Sequence, residues 1–367
     1  MSEWRHVATP THVRFGEPAA AALRAALREA NVRRVLLVTS PGRADSAAGK
    51  AVAGAVGRLL AGAFRDAAAH VPAPTVQAAI RQARAESVDA VVSFGGGSAI
   101  DLAKAVSFFL EQEAGTPGAS FADRPALAHL SIPTTYSGAE GSPWFAMTDP
   151  NARQKGLAGG PTVPPRWVIY DPELFAELTP ETVAATGMCA LAHALEAVLV
   201  GRLSPEAEAL AVAAARRVYG SLAAAAGPGA DTEARAALLE GAALAARALP
   251  NAGLGVAHGL ADLVGGRTGI AHGVVCALLL APCLRFNLDA AGPRADQLAQ
   301  VLGASDLARA VEELRAELPL PAGLSDCGIT DDDLDAVARL SQAHRWVQGN
   351  PRPTGEADAK ALVEDAF

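Results

Sequence analysis

Residues 91–104 read VVSFGGGSAIDLAK, and this stretch decides the fold. An apolar run with β-branched residues ends at three glycines, 95–97, and an apolar helix pattern follows. This order predicts a strand, a tight turn and a helix capped by Ser98, with Asp101 completing a capping box. Glycine lets the backbone approach a ligand closely, and the first N–H groups of a helix attract phosphate. The turn therefore indicates a pyrophosphate site, although an ordinary strand-to-helix turn has the same pattern.

Composition narrows the class of protein. The chain has 367 residues, 50% hydrophobic and 19% charged, which predicts about two globular domains. Its net charge of −8 gives no electrostatic support for binding nucleic acid. Four cysteines without CxxC spacing, no apolar leader near Met1, and a longest apolar run of about eleven residues (274–284) argue against secretion and membrane insertion. We expect a cytoplasmic protein.

The first half of the chain alternates helices with strands. Predicted strands cover Arg34–Ser40, Ala63–Ala68 (weakly) and Ala90–Phe94, and further short strands begin at Ala128 and Val168. Predicted helices cover 18–30, 47–60 and 75–86. This alternation is typical of a parallel, doubly wound sheet, in which ligands bind beyond the carboxyl ends of the strands. Ser40 and the glycine turn both follow such strand ends.

The second half reads almost wholly as helices from about Pro180. The chain therefore divides into an N-terminal α/β domain, residues 1–172, and a C-terminal all-helical domain, residues 173–367.

Three histidines of the helical half have spacings that suggest a site. His193 follows Cys189 by four residues, which places thiol and imidazole on one helix face. His258 and His272 are fourteen residues apart. Three imidazoles and a thiolate could hold zinc or another divalent metal. Taken singly, each histidine is better explained as a buried or cleft residue with satisfied hydrogen bonds.

Several separate motifs, in one order, carry a family resemblance. They are His70-Val71-Pro72, the glycine turn with Asp101 and Lys104, residues 132–140 (IPTTYSGAE), residues 167–174 (WVIYDPEL), residues 187–197, 258–266, His272, and residues 350–353 (NPRP). On these the chain resembles the iron-containing (group III) alcohol dehydrogenase family, and within it most nearly the maleylacetate reductase branch.

The resemblance implies a Rossmann-like dinucleotide-binding domain followed by an all-helical domain, the dehydroquinate synthase-like fold, with the active site in the cleft between them. It implies that Gly96, Gly97 and Ser98 hold the pyrophosphate. The residues implied to place the nicotinamide ribose and phosphates are Asp101, Thr134, Thr135 and Lys155. By family analogy the protein is a homodimer.

Two departures from the family pattern concern the metal. Metal-dependent members have aspartate where this chain has Cys189, and the reductase branch often has asparagine there. Members of the family also usually have a further histidine where this chain has Asp262. The possible ligand set is then Cys189, His193, His258 and His272, and the thiol would favour zinc over iron. Without a metal, Cys189 is a small buried apolar residue and the histidines donate hydrogen bonds. Because the resemblance is to the reductase branch, we expect, by a small margin, no tightly bound metal. An acidic Asp262 would repel an anionic substrate unless it is protonated or paired with a histidine, and such a pair would raise the pKa of the histidine and make it a proton donor.

We therefore expect a reductase that passes hydride from NADPH or NADH to a small carbonyl compound or a maleylacetate-type acid. His193, His258, His272 and Asp262 are the predicted catalytic residues. Thr39 and Ser40 stand where an acidic residue would select NADH, so NADPH should be accepted. The alternatives are a non-redox lyase or cyclase of the dehydroquinate synthase type, a member diverged to a specialised pathway with an altered metal site, or a binding protein that has lost catalysis.

Overall fold

A computed structural model describes residues 3–115, 127–160, 162–201 and 203–367. The chain forms two compact units. One comprises Ala8–Ala152 with Gly156–Glu177, and the other comprises Leu178–Phe367 with Met1–Val7 and Arg153–Lys155. The first is called the sheet unit here and the second the helical unit. The expected domain boundary at residue 172 lies in a short 3-10 helix, Pro172–Phe175, of the sheet unit.

The sheet unit is built on six strands, all parallel to their neighbours. The strands are β1 (His12–Phe15), β2 (Val35–Thr39), β3 (Leu60–Phe64), β4 (Ala90–Gly95), β5 (Ala128–Pro133) and β8 (Trp167–Tyr170). Their order is β1-β8-β5-β4-β2-β3. Strands β6 (Trp144–Asp149) and β7 (Gln154–Gly159) form a separate two-stranded sheet. The predicted parallel sheet is confirmed, whereas the β6–β7 sheet was not predicted, because QKGLAG has few residues of high β propensity.

Five α-helices belong to the part of the sheet unit that the structure describes. They are α1 (Ala19–Ala30), α2 (Pro41–Asp45), α3 (Ala47–Val56), α4 (Ala73–Ala85) and α5 (Gly97–Glu113). The predicted helix 47–60 and the strand after it were misplaced. Gly57 takes a φ of +57° and ends α3 there, so the chain enters β3 at Leu60, before the predicted start at Ala63. The core packs Val38 of β2 and Val91 of β4 with Ile80 of α4 and Leu102 of α5.

The helical unit contains ten α-helices among its described residues. They are α6 (Pro180–Val200), α7 (Pro205–Ala226), α8 (Thr232–Ala248), α9 (Val256–Thr268), α10 (His272–Ala291), α11 (Pro293–Val301), α12 (Leu307–Ala316), α13 (Asp331–Ser341), α14 (Arg345–Gln348) and α15 (Glu356–Glu364). Every residue of α6 from Gly187 to Leu199 is buried. Gly187 lets α7 approach closely, because a Cβ there would lie 2.4 Å from Leu222 Cδ1. This core fixes the positions of Cys189 and His193.

Among the described residues, two helices are long and apolar enough to cross a membrane by length and composition alone, Pro180–Val200 and His272–Ala291. Their most apolar windows are 89% and 67% buried within the protein. Both helices therefore have the burial of core helices in a globular fold, which explains their apolar composition.

Candidate functional site

The glycine turn lies at the switch point of the sheet. Strands β2 and β4 are neighbours in the sheet. The chain leaves β2 towards β3 on one side, whereas it leaves β4 towards β5 on the other side, so the strand order reverses between β2 and β4. Thr39, the last residue of β2, pairs with Phe94 of β4. Open α/β sheets bind ligands beyond the carboxyl ends of the strands at such a point. Ser40 and the glycine turn are thus placed together, as expected.

Steric limits explain why the turn is made of glycine. Gly95 has a φ of +154°, which side-chain-bearing residues rarely adopt. A Cβ on Gly96 would lie 2.9 Å from Thr135 Cγ2, and one on Gly97 would lie 3.1 Å from Ser137 Oγ. The loop that follows β5 therefore packs directly against the turn, which leaves room for backbone only.

The start of helix α5 differs from the prediction. The helix begins at Gly97 with Gly96 as its N-cap, so Ser98 is not the cap and Asp101 forms no capping box. The Gly96 carbonyl already accepts from the amides of Ala99 and Ile100, and this starts the helix earlier. Asp101 instead accepts a hydrogen bond from the Ala146 amide at 3.2 Å and lies 3.4 Å from Lys104 Nζ.

Buried hydroxyls mark the same end of the sheet. Thr39 Oγ1 and Thr134 Oγ1 have no hydrogen-bond partner among the described residues. Buried polar groups are rarely left unsatisfied, so such atoms point to a ligand or water. Together with the first N–H groups of α5, which lack intrahelical partners, these hydroxyls suit a dinucleotide.

In the helical unit, a cluster of thiols and imidazoles forms where three helices meet. One ligand atom from each of Cys189, His258, His272 and Cys276 lies within 4.8 Å of all the others. Cys189 is on α6, His258 on α9, and His272 and Cys276 are on α10. These four residues are called the Cys–His cluster here. Cys189, Cys276 and His258 are buried, and His272 is partly exposed.

Glu196 orients His258. Its carboxylate lies 2.5 Å from His258 Nδ1 and also accepts from the Ala257 amide at the start of α9. His258 Nε2 is buried and has no hydrogen-bond partner among the described residues. Burial alone would lower the pKa of His258, but the Glu196 carboxylate and, to a smaller extent, the Cys189 thiol raise it to about 10.

Asp262 lies one turn after His258 on α9 and is the centre of a second group of polar contacts. Its carboxylate accepts from Lys155 Nζ at 2.8 Å and lies 3.6 Å from His272 Nδ1 and 3.7 Å from His344 Nε2. Burial would raise the pKa of Asp262, but the charges of Lys155 and His272 outweigh it and lower that pKa. Asp262 is therefore ionised and paired. Lys155, expected beside the coenzyme, makes this ion pair within the helical unit.

His193 lies beside the Cys–His cluster but is not one of its four members. Its ring stacks on that of His258 at 4.4 Å between centroids with the planes 13° apart. Burial lowers the pKa of His193 to about 3, so the ring is neutral. Its Nδ1 has no hydrogen-bond partner among the described residues.

Sequence reasoning overlooked Cys276 and His344, and it gave Glu196 no role. The signal for Cys276 was present, since it follows His272 by four residues, just as His193 follows Cys189. Nothing local marks His344, because it reaches Asp262 only through the packing of α13 and α14 on α9.

Comparison with known proteins gives a consistent result over the whole chain. A family model described as iron-containing alcohol dehydrogenase matches residues 10–172, and one for the C-terminal part of the Fe-containing alcohol dehydrogenase family matches residues 183–367. Maleylacetate reductase of Rhizobium sp. (strain MTP-10005) is 31% identical and covers 100% of this chain and 98% of its own length. The 4-hydroxybutyrate dehydrogenase of Cupriavidus necator is 29% identical over 97% of this chain and 98% of its own. The crystal structure of maleylacetate reductase from Agrobacterium tumefaciens superposes with a TM-score of 0.86 at 30% identity, covering 100% of this chain and 99% of that one.

Proposed function

The chain belongs to the iron-containing alcohol dehydrogenase family, and from that membership we propose that it is an NAD(P)H-dependent reductase of a small carbonyl compound or a maleylacetate-type enol or keto acid. The observation that carries this proposal is the glycine turn at the switch point of the parallel sheet. The full-length similarity to maleylacetate reductases supports the substrate class.

The coenzyme would be held by the residues around the turn. Backbone amides of Gly96, Gly97 and Ser98 would receive the diphosphate. The hydroxyls of Ser40, Thr134 and Thr135 and the carboxylate of Asp101 would contact phosphates and ribose. NAD(P)H supplies the hydride when it is bound. The chain's own residues bind and orient the reactants and supply the proton.

His258 is the proposed proton donor. Glu196 engages its Nδ1 and stabilises positive charge on the ring, so Nε2 is the nitrogen left to donate to a developing oxyanion. His272 and His193 flank it and complete the polar surface. Asp262 would act indirectly: it lies close to His272 and His344, and Lys155 neutralises the carboxylate that would otherwise repel an anionic substrate.

Iron, which the family name implies, does not fit the donors of the Cys–His cluster. Two of its four ligand atoms are cysteine sulfurs. Thiolates favour zinc or copper(I), whereas Fe(II) in mononuclear oxidoreductases usually has imidazole and carboxylate ligands. We therefore derive no catalytic step through iron.

The proposed setting is a cytoplasmic homodimer that acts on a small molecule. The dimer follows from family analogy alone. The net charge of −8 is consistent with a role that does not involve nucleic acid.

Coenzyme consumption tests the proposal. NADPH oxidation, followed by absorbance with maleylacetate and a panel of small aldehydes and keto acids, should match product formed mole for mole. His258→Asn should lower kcat by about a hundredfold or more while NADPH binding is unchanged, since one well-placed proton donor contributes about that much. His12→Asn, an exposed histidine in β1, is the matched control. Product formed without net NADPH oxidation would point instead to a lyase or cyclase, and absence of NADPH binding to a non-catalytic protein.

A further inference from the structure

The Cys–His cluster has the composition and shape of a zinc site. In tetrahedral zinc sites Zn–S and Zn–N bonds are about 2.3 and 2.1 Å, so neighbouring ligand atoms lie about 3.4 to 3.8 Å apart. The four atoms of the cluster already lie within 4.8 Å of one another. Side-chain movements of about 1 Å would close the tetrahedron around an ion.

The surroundings of His258 match those of a metal ligand, and His272 also has a carboxylate near its Nδ1. A histidine that binds a metal usually directs its other ring nitrogen to a carboxylate, which fixes the ring and its tautomer. His258 Nδ1 is bonded to Glu196 in this way. His272 Nδ1 has the Asp262 carboxylate as a neighbour at 3.6 Å but makes no hydrogen bond among the described residues. The opposite nitrogen of His272, Nε2, lies 3.4 Å from Cys276 Sγ. The opposite nitrogen of His258 is buried without a hydrogen-bond partner among the described residues.

We propose that Cys189, His258, His272 and Cys276 bind one zinc ion as a Cys2His2 site, in which Cys276 takes the place that the sequence suggested for His193. Four protein ligands complete the zinc coordination, as in structural sites, and leave no open position for a substrate. Because the ligands come from α6, α9 and α10, the ion ties three helices of the helical unit together.

This site goes beyond the proposed function and rests on it for one consequence. His258 Nε2 cannot hold zinc and donate a hydrogen bond to a substrate at the same time. Zinc at micromolar concentration should therefore suppress the reductase activity, and a chelator should restore it. The binding experiment below does not depend on that activity, so the two proposals can fail separately.

Metal binding to the full-length protein tests the site. The protein is reduced with a phosphine and stripped with a chelator. Zn2+ is then added in equilibrium dialysis with elemental analysis, and Co2+ is added for absorption spectroscopy. We expect one ion per chain and a near-ultraviolet sulfur-to-cobalt band with the intensity of two thiolates. The loaded protein should also unfold at a higher temperature, because the metal binds only the folded site.

Matched variants identify the ligands. Cys276→Ser should weaken zinc binding by tenfold or more and halve the cobalt band, and Cys189→Ser should do the same. Cys283→Ala removes a buried thiol on the same helix, outside the cluster, and should change neither measurement. His193→Asn should also leave both intact. The proposal is overturned if the wild-type protein binds no zinc, or if His193→Asn abolishes binding while Cys276→Ser does not.

Discussion

Lys155 Nζ donates a hydrogen bond to Asp262 Oδ1 at 2.8 Å, across 107 residues of sequence. The side chains are only 8% and 11% exposed. A buried ion pair costs much desolvation energy, and removing one partner is destabilising because the other charge loses its compensation. This pair lets an acidic residue lie beside His272 and His344 without leaving net negative charge there.

Removing the lysine should therefore cost stability. We expect Lys155→Met to lower the free energy of unfolding by about 3 kcal/mol, measured by urea denaturation. The double variant Lys155→Met with Asp262→Leu should recover most of that loss, because no uncompensated carboxylate then remains. Lys360→Met is the matched control: Lys360 pairs with Asp335 at 2.6 Å on the surface, where solvent screens the charges, so its loss should cost far less stability. Equal losses for the two lysines would contradict the role given to burial.

The glycine turn allows a second test by one added methyl group. Gly96→Ala would place a Cβ 2.9 Å from Thr135 Cγ2 and displace the loop that lines the proposed diphosphate site. We expect the Kd for NADPH to rise tenfold or more, measured by fluorescence titration. Gly54→Ala is the control, because a Cβ at Gly54, within α3, meets nothing within 4 Å. Unchanged NADPH binding by Gly96→Ala would place the coenzyme elsewhere.

Much of this arrangement could be predicted from the sequence, because it is local. The alternation of helices and strands, the turn after Phe94 and the helical second half all come from patterns a few residues long. The errors at Ser98 and Gly57 have a local cause too: the glycine backbone conformation sets each helix end, and composition does not specify it.

The Cys–His cluster could be predicted only in part. Each helix shows an i,i+4 pair of polar side chains: Cys189 with His193, His258 with Asp262, and His272 with Cys276. Which member of each pair faces the others depends on how α6, α9 and α10 pack, and that packing is set by contacts far apart in sequence. The sequence therefore suggested His193 where the structure brings in Cys276.

Coenzyme preference follows from the end of β2. The residues there are Thr39, which is buried, and Ser40, which is half-buried. Because neither carries a carboxylate, neither repels a 2′-phosphate. We expect kcat/KM with NADPH at least comparable to that with NADH. Ser40→Asp should lower the NADPH value by tenfold or more and change the NADH value little, so the two coenzymes serve as controls for each other. A wild-type preference for NADH of roughly a hundredfold, about 2.7 kcal/mol, would contradict this assignment.

His129 should make the free energy of unfolding of the sheet unit depend on pH. Its side chain is buried in β5, where Nε2 lies 2.8 Å from Ser93 Oγ of β4. Burial, and secondarily the charge of Lys104, lower the pKa of His129 to about 3 from 6.5. The unfolded chain therefore binds a proton below pH 6.5 that the folded chain does not take up until about pH 3. Stability should fall with decreasing pH across that window, by roughly 1 kcal/mol per pH unit from this group.

His129→Gln keeps a hydrogen-bonding side chain beside Ser93 without a titrating ring. Urea denaturation at pH 7, 6, 5 and 4 should show a shallower decline for the variant than for the wild-type protein. Identical pH slopes would mean that His129 is not the group responsible. His12→Gln, which removes an exposed histidine of the same sheet, should leave the wild-type slope unchanged.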